Sequence, residues 1–452
     1  MDNIKGVSNY IAPAMKGDVK GPETPQEKPA EQNDQVQLGG DKPEMPQAMK
    51  PHKKWLFLNY IAADCNLTEY QLKNIDNQEL VGSDNNTHVV AYVDVGPKPN
   101  PMDNTWQGAR SYYVNKDDTP NKINSELIAE YGDHVDMSDP KTLTKYVVDA
   151  VGKFPADHVC LVLNDHGGGF TGAMSDETDG NFMSVPQIRD ALDKAQEVTG
   201  KKIDIIGFDA CLMAEAEVAY ELKDKANIML AAEESEGGPG WTYNSMLGGE
   251  NISQAIKTAQ EAMIHKINVG PEEFAKIVVN VNKQHNEDIP TFSAVNLNKM
   301  DAFKDSLNEF AKTVRKSGDK ESVKAAIQGA ENYGGGWTPY KDIRDVGHLA
   351  DNLIANAKDP ALKGAAEKMA KAVKDVVIAN EVNPQSHPKS QGISVYAPID
   401  KPSLEYNYGD LKFAKDSEWD EMLQELGVGG APSEGRATPR FWTDGTVRKS
   451  KE

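Results

Sequence analysis

Two short apolar runs in this chain of 452 residues end abruptly in residues that can do chemistry. The first, Val159-Cys160-Leu161-Val162-Leu163-Asn164, stops at Asp165-His166-Gly167-Gly168-Gly169. The second, Ile203-Asp204-Ile205-Ile206-Gly207-Phe208, stops at Asp209-Ala210-Cys211. A thiol attacks as its thiolate, so a nucleophilic cysteine needs a base or a positive neighbour. Histidine is the usual partner, because its pKa lies near neutrality. His166 and Cys211 are therefore the candidate dyad of a cysteine protease.

Blander readings compete with this one. A lone cysteine is more often a small buried hydrophobe, and Cys65 and Cys160 read that way. A His-Gly-Gly-Gly run after a strand is also the oxyanion-hole motif of lipase-like hydrolases. That fold needs a downstream Gly-x-Ser-x-Gly elbow, which is absent, and here the histidine precedes the nucleophile. The lipase reading fails. No Cys or His pair has zinc spacing. The acidic turn Asp176-Glu177-Thr178-Asp179-Gly180-Asn181 lacks EF-hand spacing and a distal Glu ligand, and reads as a solvated loop. No metal ligand is assigned and no cofactor is required.

The elements that must position the pair alternate in type. Apolar runs at 55–63, 87–95, 109–115, 159–164, 203–208 and 228–232 read as strands, the 109–115 strand lying at an edge. Helical periodicity falls at 67–80, 141–151, 184–198 and 213–222. Such alternation predicts an α/β fold with a mostly parallel sheet covered on both faces. Ligands bind outside the carboxyl ends of such strands, where both motifs sit. One strand–helix–strand unit separates His166 from Cys211, so a right-handed crossover brings the two ends together.

Residues 53–250 are thus the expected catalytic domain. The region 251–426 reads as mainly helical, with helices at 251–267, 302–316, 320–333, 343–356 and 360–380. Strand-like segments at 291–297 and 392–396 either extend the first sheet or found a second one. Residues 1–52 are rich in Pro, Gln and charge, too poor in apolar surface to offset ordering, and read as a disordered tail. Residues 427–452 read as a second loose tail.

Acidic residues outnumber basic ones, 70 against 49, for a net charge of −21. That balance argues against nucleic acid, whose phosphates need a basic footprint. No 18 apolar residues run together, so no membrane span is expected, and the first residues lead into no apolar signal core. Three cysteines do not make a disulfide framework. A cytoplasmic, reducing location is the simplest expectation, with non-classical secretion left open.

The Asp-His-Gly-Gly-Gly and Asp-Ala-Cys-Leu-Met motifs, in this order, resemble the clostripain family of cysteine peptidases, in the clan of caspases, gingipains and separase. Trp55 to Asn66, Ala232-Glu233-Glu234-Ser235 through Trp241, Tyr340 to Ala350 and Gly392 to Pro398 also look like family blocks. The resemblance spans roughly Lys53 to Leu426. It implies a caspase-like three-layer sandwich and hydrolysis of peptide bonds through a thioester. Cys211 would be the nucleophile and His166 its partner, with backbone N–H groups of Gly167 and Cys211 stabilising the oxyanion. It also implies cleavage after Arg or Lys, with Asp209, two positions before the cysteine, as the pocket acid. Glu233 and Glu234 are secondary candidates for that pocket. Asp209 as a helix cap is the plainer alternative. The implied partners are protein or peptide substrates with basic residues. Ca²⁺ enters as a cofactor by resemblance alone. No Asn or Asp that would orient His166 is assignable. Some relatives cut themselves in the loop after the histidine, but no Lys or Arg lies between His166 and Arg189; Lys201-Lys202 is the remaining opportunity. A catalytically silent scaffold with the same fold is the rival from another class.

Overall fold

The chain is organised by one nine-stranded sheet whose five central strands are parallel. The computed structural model describes residues 45–97, 106–243, 269–282, 288–334, 342–399, 404 and 408–428. In chain order the first elements are β1 (Lys53–Ala63), α1 (Thr68–Glu79), β2 (Thr87–Val95), β3 (Gly108–Tyr113) and β4 (Glu126–Glu130). Then come α2 (Pro140–Lys153), β5 (Ala156–Asn164), β6 (Ala173–Asp176), β7 (Asn181–Met183), α3 (Val185–Thr199), β8 (Ile203–Asp209), α4 (Ala216–Leu222) and β9 (Ala226–Ala231). The later part holds α5 (Pro271–Asn282), β10 (Thr291–Asn296), α6 (Met300–Lys316), α7 (Lys320–Gly329), β11 (Asn332–Tyr333) and β12 (Ile343–Asp345). It ends with α8 (Val346–Asn356), α9 (Pro360–Val376), β13 (Val377–Val382), β14 (Ser394–Tyr396) and two short helices, α10 (Lys412–Lys415) and α11 (Trp419–Glu425).

The strand order is β13-β10-β9-β8-β5-β1-β2-β3-β4. Strand alternation divides the core in two. Leu56, Leu58, Tyr60 and Ala62 of β1 face one apolar cluster with α2, α3 and α4, while Phe57, Ile61 and Ala63 face the other with α1 and α5. That is the expected three-layer arrangement, with buried strands reading as continuous apolar runs. The helices that cover the sheet start at recognisable caps. Asp139 accepts from the Lys141 N–H, with Pro140 opening α2. Ser184 and Gln187 form a reciprocal capping box before α3.

Several expectations are corrected. The 109–115 strand, now β3, is not an edge, because β4 pairs outside it. Helix 213–222 starts only at Ala216, since Glu215 is extended and bridges to Ser394. The 360–380 helix ends at Val376, and Val377-Ile378 leads into β13, as β-branched residues favour. The expected 320–333 and 343–356 helices give up their ends to β11 and β12. The 251–267 helix lies outside the described residues. The 291–297 segment becomes β10, antiparallel to β9, and β13 pairs with β10. The boundary at 250 therefore does not divide the sheet. The 392–396 segment becomes β14, in a separate three-stranded sheet with β11 and β12.

Residues 45–52, expected to belong to a disordered tail, lie against the sheet domain, and residues 1–44 fall outside the described residues. The Met49 N–H donates to the Lys153 carbonyl at 2.9 Å, Lys50 pairs with Glu126 at 2.8 Å, and the Pro51 carbonyl lies 3.0 Å from His88 Nε2. Among the described residues no helix is long and apolar enough to cross a membrane.

Candidate functional site

Register brings the two motifs level. β5 and β8 pair in parallel with Asn164 opposite Asp209, so His166 and Cys211 each lie two residues beyond a paired position. Both line one cavity of about 410 Å³ at the carboxyl end of the sheet, together with Asn66, Asp209, Glu236 and Gly240.

The histidine is held from β1. His166 Nε2 lies 2.7 Å from Oδ1 of Asn66, just past the end of that strand. The Asn66 turn is itself fixed. Thr68 Oγ1 donates to the carbonyls of Ala63 and Cys65 at 2.8 and 2.7 Å, and the Leu67 N–H donates to the Cys65 sulfur at 3.3 Å. Gln71 Nε2 donates to the carbonyls of both Ala62 and Asn164, joining the β1 and β5 ends. Cys65 is buried, and Cys160 is buried in β5, where burial pushes its thiol well up. On the other side of His166, the Met174 N–H donates to its carbonyl at 3.1 Å, and Ser175 Oγ donates to Asp165 at 2.7 Å. The β6–β7 hairpin thus props the histidine turn. Its strands of four and three residues are too short to stand out from the sequence as strands.

Cys211 is half-buried. The Glu236 N–H donates to its sulfur at 3.3 Å. Burial pushes the thiol up to about 12, and the carboxylates of Glu236 and Glu234 add to the rise. At rest this is a neutral thiol. Directly after it, Leu212 holds φ +68°, a conformation that costs a branched side chain energy and clusters at functional sites. Its N–H donates to the Glu234 carbonyl at 3.3 Å, and its buried side chain packs with Tyr333 and Ile343. Gly167 faces this turn so closely that a Cβ there would collide with the Cys211 carbonyl. Its own N–H lies in a non-hydrogen-bonded pairing with Ala173, and among the described residues no backbone carbonyl takes up either it or the Cys211 N–H.

Asp209 caps no helix; α4 begins seven residues later. Its Oδ2 accepts from Asn164 Nδ2 at 2.6 Å and Tyr243 OH at 2.7 Å, and its Oδ1 accepts from the Trp241 N–H at 3.2 Å. Burial pushes its carboxyl up to about 6 against these hydrogen bonds. Glu236 lies beside it with a carboxyl raised by burial and then by Asp209. Its oxygens are buried, with Asp209 and the Trp241 indole as their neighbours. The structure does not bring Glu233 and Glu234 to the cavity. Glu233 Oε2 accepts from the Gly392 N–H at 3.1 Å beside Asp345, and Glu234 accepts from the Ser235 and Gly334 N–H groups at 2.7 and 3.0 Å. Both carboxylates tie the β9 end to the later part of the chain.

Two site residues escaped the sequence reading. Asn66 has no local signal, being 100 residues from His166. Glu236 has one, a carboxylate at the head of Gly237-Gly238-Pro239-Gly240, where the backbone leaves room for a ligand.

The clostripain family model matches residues 59–425. Clostripain of Hathewaya histolytica is 24% identical over 225 residues, 43% of this chain and 42% of that protein, so the match spans about two fifths of the relative's length. A secreted C11 cysteine protease from Bacteroides thetaiotaomicron, solved with an irreversible peptide inhibitor, superposes with a TM-score of 0.59 at 19% identity, over 81% of this chain and 99% of that one. An inactive zymogen C11 protease from Parabacteroides distasonis gives 0.58 at 19% identity, with the same coverage. At such identities the likeness is one of fold, a caspase-like α/β sandwich. Taken with the family match over most of the sequence, the chain belongs to the clostripain family of cysteine peptidases.

Proposed function

We propose that the protein is a cysteine endopeptidase that cleaves after Arg or Lys, with Cys211 as nucleophile, His166 as its proton carrier and Asn66 orienting the imidazole. The observation that carries the reading is the shared cavity, in which the Asn66-held His166 and Cys211 stand above two buried acids, Asp209 and Glu236. With Asn66 Oδ1 accepting, the imidazole carries its proton on Nε2 and keeps Nδ1 as the base.

His166 takes the Cys211 proton as Sγ attacks the scissile carbonyl carbon. The N–H groups of Gly167 and Cys211 receive the oxyanion, each such donor being worth roughly 2.7–4 kcal/mol in other proteases. His166 then passes its proton to the leaving nitrogen, and the C–N bond breaks to leave a thioester on Cys211. Water attacks that thioester, gives a proton to His166, and the thiol is restored as the acid product leaves. A guanidinium or ammonium in the pocket would meet Asp209 and Glu236, displacing the proton they hold.

Purified protein is given fluorogenic peptides ending in Arg, Lys, Asp or Leu, beside Cys211→Ala. Turnover of the Arg or Lys peptides that disappears in the variant is the expected result. Activity that survives Cys211→Ala would overturn the mechanism, and a preference for Asp or Leu would overturn the pocket. The silent-scaffold reading predicts no turnover of any peptide.

A further inference from the structure

The chain four residues past Cys211 reaches back to the chain four residues past His166. Glu215 is the residue before α4 and is wholly buried. Its Oε2 accepts the Phe170 N–H at 2.6 Å. Phe170 directly follows Gly167-Gly168-Gly169, and Gly167 carries one of the N–H groups assigned to the oxyanion. Gly169 holds φ +60°, and a Cβ on it would collide with Oε1 of Glu215. Carboxyl and glycine turn are thus fitted to one another. Glu215 is itself fixed through its bridge to Ser394, whose N–H and Oγ both donate to the Ala214 carbonyl, at 2.9 and 3.1 Å.

Other hydrogen bonds of this turn close upon itself. The Gly168 N–H donates to the Gly172 carbonyl at 2.9 Å, and the Thr171 N–H and Oγ1 both donate to the Gly168 carbonyl. The Phe170 ring packs on Tyr396 and Tyr408, with centroids 4.8 and 5.3 Å away. Glu217 holds that pair, accepting from the Tyr396 N–H at 3.1 Å and the Tyr408 OH at 2.8 Å. Two carboxyls buried two residues apart are costly, and an apolar pair would be cheaper to bury. Burial, and then Glu217, holds the Glu215 carboxyl far above the usual carboxylate range, so it stands in the fold as the neutral acid. A Gln amide offers the same acceptor in nearly the same volume, and no apolar side chain does.

We propose that Glu215 is a positioning residue for the peptidase reaction: by holding the Phe170 N–H it fixes the glycine turn against the nucleophile turn, and so sets the spacing of the Gly167 and Cys211 N–H groups. The inference rests on the reading of Cys211 and His166 as the reacting pair. Gly167 already stands so near the nucleophile turn that a Cβ on it would lie 3.0 Å from the Cys211 nitrogen. Hydrogen bonds weaken steeply as distance and angle drift, so a loosened turn loses the oxyanion before it loses its fold. Donors aimed at the oxyanion lower the barrier and leave substrate binding nearly alone. Glu215 touches neither substrate nor the reacting atoms; it acts through the turn.

The test sets Glu215→Met and Glu215→Gln beside the unaltered full-length protein, with three probes. These are a fluorogenic Arg peptide, the matching peptide aldehyde, whose hemithioacetal oxygen enters the oxyanion site, and iodoacetamide, whose reaction with Cys211 forms no oxyanion. In Glu215→Met, kcat should fall at least about tenfold with KM within about twofold. Aldehyde affinity should fall by the same factor, and alkylation of Cys211 should keep its rate. Glu215→Gln should restore both kcat and aldehyde affinity. Gly169→Ala, which displaces the turn from the other side, should reproduce the loss, and serves should Glu215→Met fold poorly. In the double variant the two losses should not add. Unchanged kcat in Glu215→Met, equal losses in Met and Gln variants, alkylation slowed in step with kcat, or additive losses in the double variant would each overturn the positioning role alone. No turnover of the Arg peptide by the unaltered protein would overturn the peptidase reading, and this role with it.

Discussion

Asn66 Oδ1 and His166 Nε2 lie 2.7 Å apart although 100 residues separate them in the chain. The contact joins the end of β1 to the end of β5, neighbouring strands of the sheet. Removing it in Asn66→Ala should lower kcat roughly tenfold to a hundredfold with KM little changed, since the ring loses its tautomer and orientation and not its substrate. Asn66→Asp, which can still accept from Nε2–H, should recover part of the loss. Steady-state kinetics on an Arg peptide checks this, and equal losses in both variants would refute an orienting role.

The thiol of Cys211, pushed up to about 12 by burial and then by Glu236 and Glu234, is not a standing thiolate. Its alkylation by iodoacetamide should climb steadily between pH 6 and 9, without the acid plateau of a pre-formed ion pair. Glu236→Gln should speed alkylation at any pH in that range. A plateau below pH 7 would contradict the neutral resting thiol.

The pocket acids predict a pH dependence of specificity. Asp209 titrates near 6, and a cationic side chain binds the ionised form. The ratio of kcat/KM for an Arg peptide over a Leu peptide should therefore rise as pH passes upward through 6. In Glu236→Ala that rise should move to higher pH, because Glu236, whose own pKa burial raises, no longer hydrogen-bonds the Asp209 carboxylate. Asp209→Asn should cut the Arg preference about a hundredfold. Stability runs the other way. Because the folded pKa is raised, the native state holds more protons than the unfolded chain between about pH 4 and 6, and the free energy of unfolding falls across that window as pH rises. Chemical denaturation at pH 4.5 and 7, with and without Glu236→Gln, measures the slope.

Gly240 offers a steric control. It has φ +63°, and a Cβ there would lie 2.5 Å from Asp209 Oδ1. Gly240→Ala should cost about 1–2 kcal/mol from the backbone alone. It should also weaken Arg peptides more than Leu peptides, which a purely global destabilisation would not do.

The central strands were legible because strands buried on both faces read as unbroken apolar runs, as in Val159–Leu163 and Ile203–Phe208. His166 and Cys211 followed from residue type and chain position. What stayed hidden depends on through-space proximity. Asn66 belongs to the turn after β1 and His166 to the turn after β5, so no spacing links them. Glu233 and Glu234 suggest themselves for the pocket because they follow a strand, but the chain runs on to Ser235 and Glu236 before reaching the cavity. The first residues of β13 look helical in sequence because Val377 and Ile378 prolong the apolar pattern of α9 past its end.

The pairing of β9 with β10 bears on what a cut in this chain would do. Between them lie residues 232–290, yet β10 and β13 complete the sheet that β1 to β5, β8 and β9 begin. Strand ladders and a continuous apolar interior, not the covalent link, hold the later part to the earlier. A protein nicked between Tyr243 and Val269 should show two bands on a denaturing gel, elute as one particle from a sizing column and melt in a single transition.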